Sequence, residues 1–146
     1  MAKDINIDIA GKRLNVRVGV IMRFEDNVVI EISTAGRNSV VPGGRIHVCE
    51  SSLDALEREV MEEMNFQINK ERAKRLDVFE NFFSYDGKDV HEIYFLYEYI
   101  LSQEEFKNLK LEKNKDNSTT YFSLVKKDEV SKHNLLPLSL HKIINS

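Results

Sequence analysis

Two spacings of apolar residues run through the chain. Between Ser51 and Phe66 the spacing is helical: at about 100° per residue Leu53, Leu56, Val60 and Met64 share one face, and Glu59, Glu62 and Glu63 share the face beside it. This predicts a helix over 52–64 with a buried stripe and a carboxylate stripe. Ser51, three residues before Asp54, carries the signature of its N-cap. Elsewhere the period is two. Residues 6–9 and 13–22 read as strands around an Ala10-Gly11 turn, and Val16, Val18, Val20 and Met22 alternate with Asn15, Arg17, Gly19 and Ile21, which predicts one drier face. Asp26-Asn27 turns the chain into a further β-branched run over 28–33, and the two runs read as a hairpin within a sheet.

Asp86-Gly87 between 76–84 and 90–101 is a hairpin signal. The rings of Tyr94, Phe95, Tyr97 and Tyr99 are expected in the core or in cross-strand pairs. His91 and Glu92 open that strand on opposite faces and so form no neighbouring acid-base pair. A short helix over 103–111, a final strand over 119–124 and a helix over 138–144, with Leu140, Ile143 and Ile144 inward, complete the pattern. Strands, a long helix, more strands and a terminal helix predict an α/β sandwich of sheet and helices, with 1–146 as a single domain.

The acid stripe opposes its own helix. Glu59 and Glu63 are like charges at i,i+4, costing an isolated helix roughly 0.2–0.5 kcal/mol. On the helix alone, such a stripe is most often a solvated face. Converging carboxylates, however, are hard oxygen donors suited to Mg²⁺ or Mn²⁺. Gly43 and Gly44 just upstream let the backbone approach a metal or phosphate closely.

Composition narrows the class. A chain of 146 residues with 42% hydrophobic residues and a net charge of −3 is globular, and it has no basic surplus to suggest a nucleic-acid polymer or an anionic membrane as partner. The single cysteine, Cys49, excludes an intramolecular disulfide framework and fits a reducing compartment. The N-terminal residues lack a signal peptide's apolar core, and no apolar run approaches the ~20 residues of a membrane span, so the expected location is cytoplasmic.

The stretch from Gly44 through Glu50, Arg58, Glu59, Val60, Glu62 and Glu63 to Phe66 resembles the Nudix box of the MutT-like hydrolases. Its fixed positions are Gly, five residues, Glu, seven residues, Arg-Glu, a bulky aliphatic, any residue, Glu-Glu, any residue, Gly and a bulky aliphatic. Asn65 replaces the last Gly, a conservative change where a helix ends in a left-handed residue. The box covers about a sixth of the chain, but many fixed positions at fixed spacing make it specific.

The resemblance implies an α/β/α sandwich with a mixed β-sheet and a loop-helix-loop catalytic motif. It implies a Mg²⁺-dependent hydrolase (Mn²⁺ a substitute) that cleaves the pyrophosphate linkage of a nucleoside diphosphate joined to another moiety, such as a nucleoside triphosphate, a nucleotide sugar or ADP-ribose. The products would be a nucleoside monophosphate and the phosphorylated remainder. By the same resemblance, Glu59, Glu62 and Glu63, with a backbone carbonyl at Gly43 or Gly44, are the expected metal ligands. Arg58 is expected to pair with Glu50 and brace the loop, and Arg58, Glu59, Glu62 and Glu63 form the catalytic set.

The general base stays open among Glu62, Glu63, Glu104, Glu105 and Glu112, with the box favoured. Arg23, Arg37 and Arg45 are candidates to meet substrate phosphates. Family members acting on ADP-ribose often carry a proline about fifteen residues past the box. Here the only prolines are Pro42 and Pro137. The tyrosine common in those acting on dinucleoside polyphosphates is replaced by Phe82 and Phe83. The expected partner is a small nucleotide derivative, and a homodimer stays open. The alternative reading is a catalytically silent nucleotide-sensing or interaction module on the same fold.

Overall fold

The computed structural model describes every residue except Met1, Ala2, Gly36, Arg37, Lys113, Asp116 and Ser118. Along the chain run β1 (Asn6–Ile9), β2 (Lys12–Phe24), β3 (Asn27–Ser33), β4 (Ser39–Val40), β5 (Gly43–Arg45) and α1 (Ser52–Met64). They are followed by β6 (Lys74–Tyr85), β7 (Lys88–Ile100), α2 (Gln103–Asn108), β8 (Thr120–Lys126), a 3₁₀ segment Lys127–His133 and α3 (Ser139–Ile144).

Strand β2 is the axis of a mixed sheet. β7 runs parallel to it from Arg13↔Val90 to Arg23↔Ile100, and β6 closes that side as an antiparallel edge. The expected hairpin of β2 and β3 is corrected in one respect: the turn forms, but the strands pair only at Arg23↔Val28 and Phe24↔Asn27. β3 then leaves to pair with β4 and β8, while β5 lies along β2. The splayed strands open a cleft, and the functional residues gather there.

Both faces of the sheet are covered. On one, Leu56 and Val60 of α1 pack with Val18, Val20, Met22, Tyr97 and Tyr99. On the other, Leu140 and Ile144 of α3 and Val130 pack with Ile21, Ile30, Tyr94 and Leu96. The expectation of a single dry face on β2 therefore gives way at mid-strand, where Val18, Val20, Ile21 and Met22 are all inaccessible, because helices cover both sides.

Helix α1 has the predicted bounds. The Ser51 hydroxyl accepts the Asp54 N–H at 3.0 Å, and Asn65, at φ 53°, ends the helix with its N–H on the Met61 carbonyl. Asp86 and Gly87, at φ 52° and 75°, form the primed turn that their residue types favour. Tyr94, Tyr97 and Tyr99 are buried as expected. Among the described residues, no helix is long and apolar enough to cross a membrane.

Candidate active site

The cleft is framed by glycine. A Cβ on Gly43 would lie 2.1 Å from the Val18 carbonyl oxygen, and one on Gly44 would lie 2.3 Å from the Glu59 carboxylate. Only glycine lets β5 lie this close to β2 while the acids of α1 press against it. The Gly43 N–H donates to Glu63 Oε1 at 3.2 Å.

Two acids are sunk in this cavity of about 610 Å³, with Glu63 7% and Glu31 6% exposed. Asn114 bridges them, its Nδ2 lying 2.7 Å from Glu31 Oε2 and 3.1 Å from Glu63 Oε2, and the Thr120 hydroxyl also donates to Glu31. Burial first, and then the neighbouring Glu31, push the Glu63 carboxyl up to about 8, against the amide donors of Asn114 and Gly43. Glu59 is raised by burial, and Arg58 opposes the shift.

Arg58 holds the loop to the helix. Its Nε and one terminal nitrogen reach the two Glu50 oxygens at 2.8 and 2.9 Å, and that nitrogen also donates to the Arg45 carbonyl at 3.0 Å. The other terminal nitrogen meets Glu59 at 2.8 Å and Glu62 at 3.3 Å. This bidentate guanidinium holds Glu50 below the usual carboxylate range, helped by the His47 N–H. The N-terminal segment straps the same loop: Ile5 N–H donates to the Ile46 carbonyl and Val48 N–H to that of Lys3, at 2.8 and 2.9 Å.

The expected site residues are thus partly assembled. Gly43, Gly44, Arg45, Glu59 and Glu63 line the cavity. Glu62 does not: its side chain is 45% exposed and turns to Arg58 on the helix's outer side. Accordingly, among the described residues no three His, Cys, Asp or Glu side chains form a ready metal cluster. What the cavity does hold is an all-oxygen donor set, two of its acids buried beside each other, which is the chemistry a hard divalent cation satisfies.

Arg23 lies away from the cleft. It pairs with Glu98 at 2.8 Å and donates to the carbonyls of Ile144 and Ile143 at 2.9 and 3.3 Å, so it clamps the C-terminal helix, not a phosphate. Arg37 falls outside the described residues. Of the candidate bases, Glu105 is engaged by Arg72, Tyr99 and Ser102, and neither it, Glu104 nor Glu112 lines the cavity. Sequence reasoning missed Arg17, Glu31 and Asn114. Glu31 had a signal, a lone charge inside an apolar strand run, whereas Asn114 reaches the cavity from a polar loop with nothing to mark it.

A family model, NUDIX domain, matches residues 13–142. The chain belongs to the Nudix family. It is by class a pyrophosphohydrolase, of a family whose members generally use divalent metals. Among solved structures, the MutT protein of Bacillus halodurans is similar with a TM-score of 0.70 at 20% identity, over 90% of this chain and 80% of that one. The MutT protein of Methanosarcina mazei Go1 gives a TM-score of 0.60 at 18% identity, with 94% of each chain covered. The Ap4A hydrolase of C. elegans gives 0.60 at 13% identity, over 90% of this chain and 94% of that one. At these identities the likeness is one of fold. A search of curated proteins finds no match.

Proposed function

We propose that this Nudix protein hydrolyses, with Mg²⁺, the pyrophosphate linkage of a nucleoside diphosphate derivative, releasing a nucleoside monophosphate and a phosphorylated remainder. The observation that carries the reading is the buried Glu63 carboxylate beside Glu31 in a cavity floored by Gly43 and Gly44 and flanked by Glu59. A protein that buries two acids side by side sets aside stability, which is expected where a site needs them.

Glu59 and Glu63, with backbone oxygen near Gly43, hold the cation in this reading. Glu62, tied among the described residues only by a 3.3 Å contact to Arg58, can turn in from the outer side of the helix. A bound divalent ion supplies charge neutralisation at the phosphates and a more acidic water. Arg58 keeps Glu59 at the cavity and the glycine loop against the helix by bonding both with one rigid fork. Arg45, at the cavity wall, meets phosphate charge. The proton acceptor for water is Glu62 or Glu63, the two box acids open to that role.

One of the similar structures is named an Ap4A hydrolase, which keeps dinucleoside polyphosphates among the substrates to test. The decisive measurement is phosphate release from nucleoside di- and triphosphates, nucleotide sugars, ADP-ribose and dinucleoside polyphosphates, with and without Mg²⁺. Metal-dependent cleavage of one class is the expected result. Absence of turnover throughout, together with no thermal stabilisation by Mg²⁺, overturns the reading.

A further inference from the structure

Two acids from separate elements share the acidic cavity, Glu31 from β3 and Glu63 from α1, 6% and 7% exposed. Ionised carboxylates brought together in a poorly hydrated space repel, and the pair is tolerable only with donors or a cation between its members. Arg17 is near enough to feel both charges, but the side chain that bonds both acids is Asn114.

Asn114 is itself 4% exposed, and its amide is oriented from both ends. Its Nδ2 lies 2.7 Å from Glu31 Oε2 and 3.1 Å from Glu63 Oε2, so each of its two hydrogens serves one acid. Its Oδ1 accepts the Asn117 N–H at 3.1 Å. A flipped amide would turn a carbonyl oxygen toward two carboxylates and an N–H toward an N–H, so the partners dictate the orientation. The segment between α2 and β8 that carries Asn114 is seated by its backbone as well. The Asn114 N–H donates to the Thr120 carbonyl at 3.0 Å, and the Lys115 N–H donates to the Glu63 carbonyl at 2.9 Å.

The two acids are held unequally. Glu31 Oε2 takes a second donor, the Thr120 hydroxyl, on the same oxygen that Asn114 reaches. Glu63 accepts longer bonds, one on each oxygen: Asn114 on Oε2 and the Gly43 N–H on Oε1 at 3.2 Å. A carboxylate has roughly four lone-pair sites, so Glu63 keeps acceptor capacity for a cation while Asn114 stays bonded to it. Glu31 is thus the anchored acid and Glu63 the available one, with a single amide between them.

We propose that Asn114 is a positioning residue for the divalent cation: its amide, anchored on Glu31, shields Glu63 from the neighbouring charge and stays in place when Glu63 takes the metal. The inference rests on the metal-dependent reading of the acidic cavity and adds to it the residue that makes a buried acid pair able to bind. A side chain that only filled the loop would matter equally whatever the charge at position 31, and this separates the two roles.

Calorimetric titration with Mg²⁺ alone tests it without turnover. Asn114→Ala and Asn114→Leu, the second close to asparagine in size, are each expected to weaken Mg²⁺ about tenfold or more. Glu31→Gln keeps an acceptor for Asn114 and Thr120 but removes the charge. In that background the same two substitutions are expected to cost less than about threefold. In the wild-type protein, the Asn114 Nδ2 hydrogens, followed by NMR, are expected to exchange slowly with solvent both in EDTA and at Mg²⁺ saturation. Equal losses in the two backgrounds make Asn114 a packing residue and overturn the proposal. Tighter Mg²⁺ binding in either Asn114 variant overturns it too, as does fast exchange of those hydrogens once Mg²⁺ is bound. A wild-type protein that binds no Mg²⁺ overturns both this inference and the reading beneath it. If the Mg²⁺ pattern holds while the phosphate-release screen stays silent, the proposed hydrolysis fails and this assignment stands. If hydrolysis is found with equal losses in the two backgrounds, the reverse follows.

Discussion

Arg17 lines the acidic cavity and Arg58 bonds two of its lining residues, Glu59 and Arg45; both are half-buried, and they do opposite things. Arg58 makes bonds to Glu50, Glu59, Glu62 and the Arg45 carbonyl, and every partner lies within a short stretch of chain. Arg17 lies in β2 opposite Tyr94 of β7 and Arg45 of β5; its side chain bonds the Tyr94 hydroxyl, and acids drawn from β7, α1 and β3 stand around it. One region is a locked brace whose parts satisfy one another. The other is a junction where one cation, bonded to a tyrosine, stands among acids with no ion pair among the described residues. A fold that brings both to one site separates holding the site from using it, and substitutions should split along that line.

The largest effect is expected at Glu63, on the using side. Glu63→Gln keeps the shape and the Asn114 contact but removes the charge, and turnover should fall by about 10²–10³-fold or more. The same variant should be the more stable one without metal. Because the folded Glu63 titrates near 8, above its unfolded value, its contribution is intact at acid pH and is lost as pH rises from about 4.3 toward 8, where folding must bury a charge. Thermal melts in EDTA should show wild type losing stability over that window and Glu63→Gln losing less. Added Mg²⁺ should restore wild type only. Full activity in Glu63→Gln, or parallel pH profiles, would place Glu63 with the brace.

Next comes Arg58→Lys, which breaks the brace. A lysine cannot span Glu50, Glu59 and a carbonyl with one fork, so activity should drop about 10–100-fold, with weakened but detectable Mg²⁺ binding. The sign of its pH dependence is opposite to that at Glu63. Arg58 holds Glu50 below its unfolded value, so the pair stabilises above that value and the benefit disappears as pH falls through the folded one. The stability gap between wild type and Arg58→Lys should therefore close below about pH 4.

Gly44→Ala touches the boundary between the two regions. Its Cβ would collide with the Glu59 carboxylate at 2.3 Å, and because that carboxylate is also held by Arg58, it has little room to retreat. We expect a loss of about tenfold in Mg²⁺ affinity with a modest stability cost, measured by calorimetry and melting. Unaltered affinity would show that Glu59 is not a ligand.

The same division explains what could be read before the fold was known. Ser51, the Leu56-Val60-Met64 stripe, Arg58-Glu50 and Asn65 act within a few turns of one helix, so their spacing in sequence is their spacing in space. Asp86-Gly87 is local in the same way. The parting of β2 from β3 is not local: it depends on β5 and β8 competing for their edges, and no short-range pattern records that. Arg17 and Asn114 acquire a role only through that parting. Glu62 shows the converse, since helical periodicity places it beside Glu59 and Glu63, but its side chain is 45% exposed and meets Arg58 instead of the cavity.

The smallest expected effect tests whether the brace ends where the helix ends. Asn65 closes α1 in the left-handed region, one residue after Met64 and two after Glu63, with its N–H on the Met61 carbonyl. Asn65→Ala forces a Cβ-bearing residue without a local polar side chain into φ 53°, which costs about 1 kcal/mol. The melting temperature should fall by a few degrees, about 2–4 °C for a chain of this size. The kcat should stay within about twofold at 25 °C, because Glu63 is held from outside the helix by Gly43 and Asn114 and does not depend on its last turn alone. A large drop in kcat with an unchanged melting temperature would mean that the helix end itself aims Glu63, and the line between holding and using would have to be redrawn through α1.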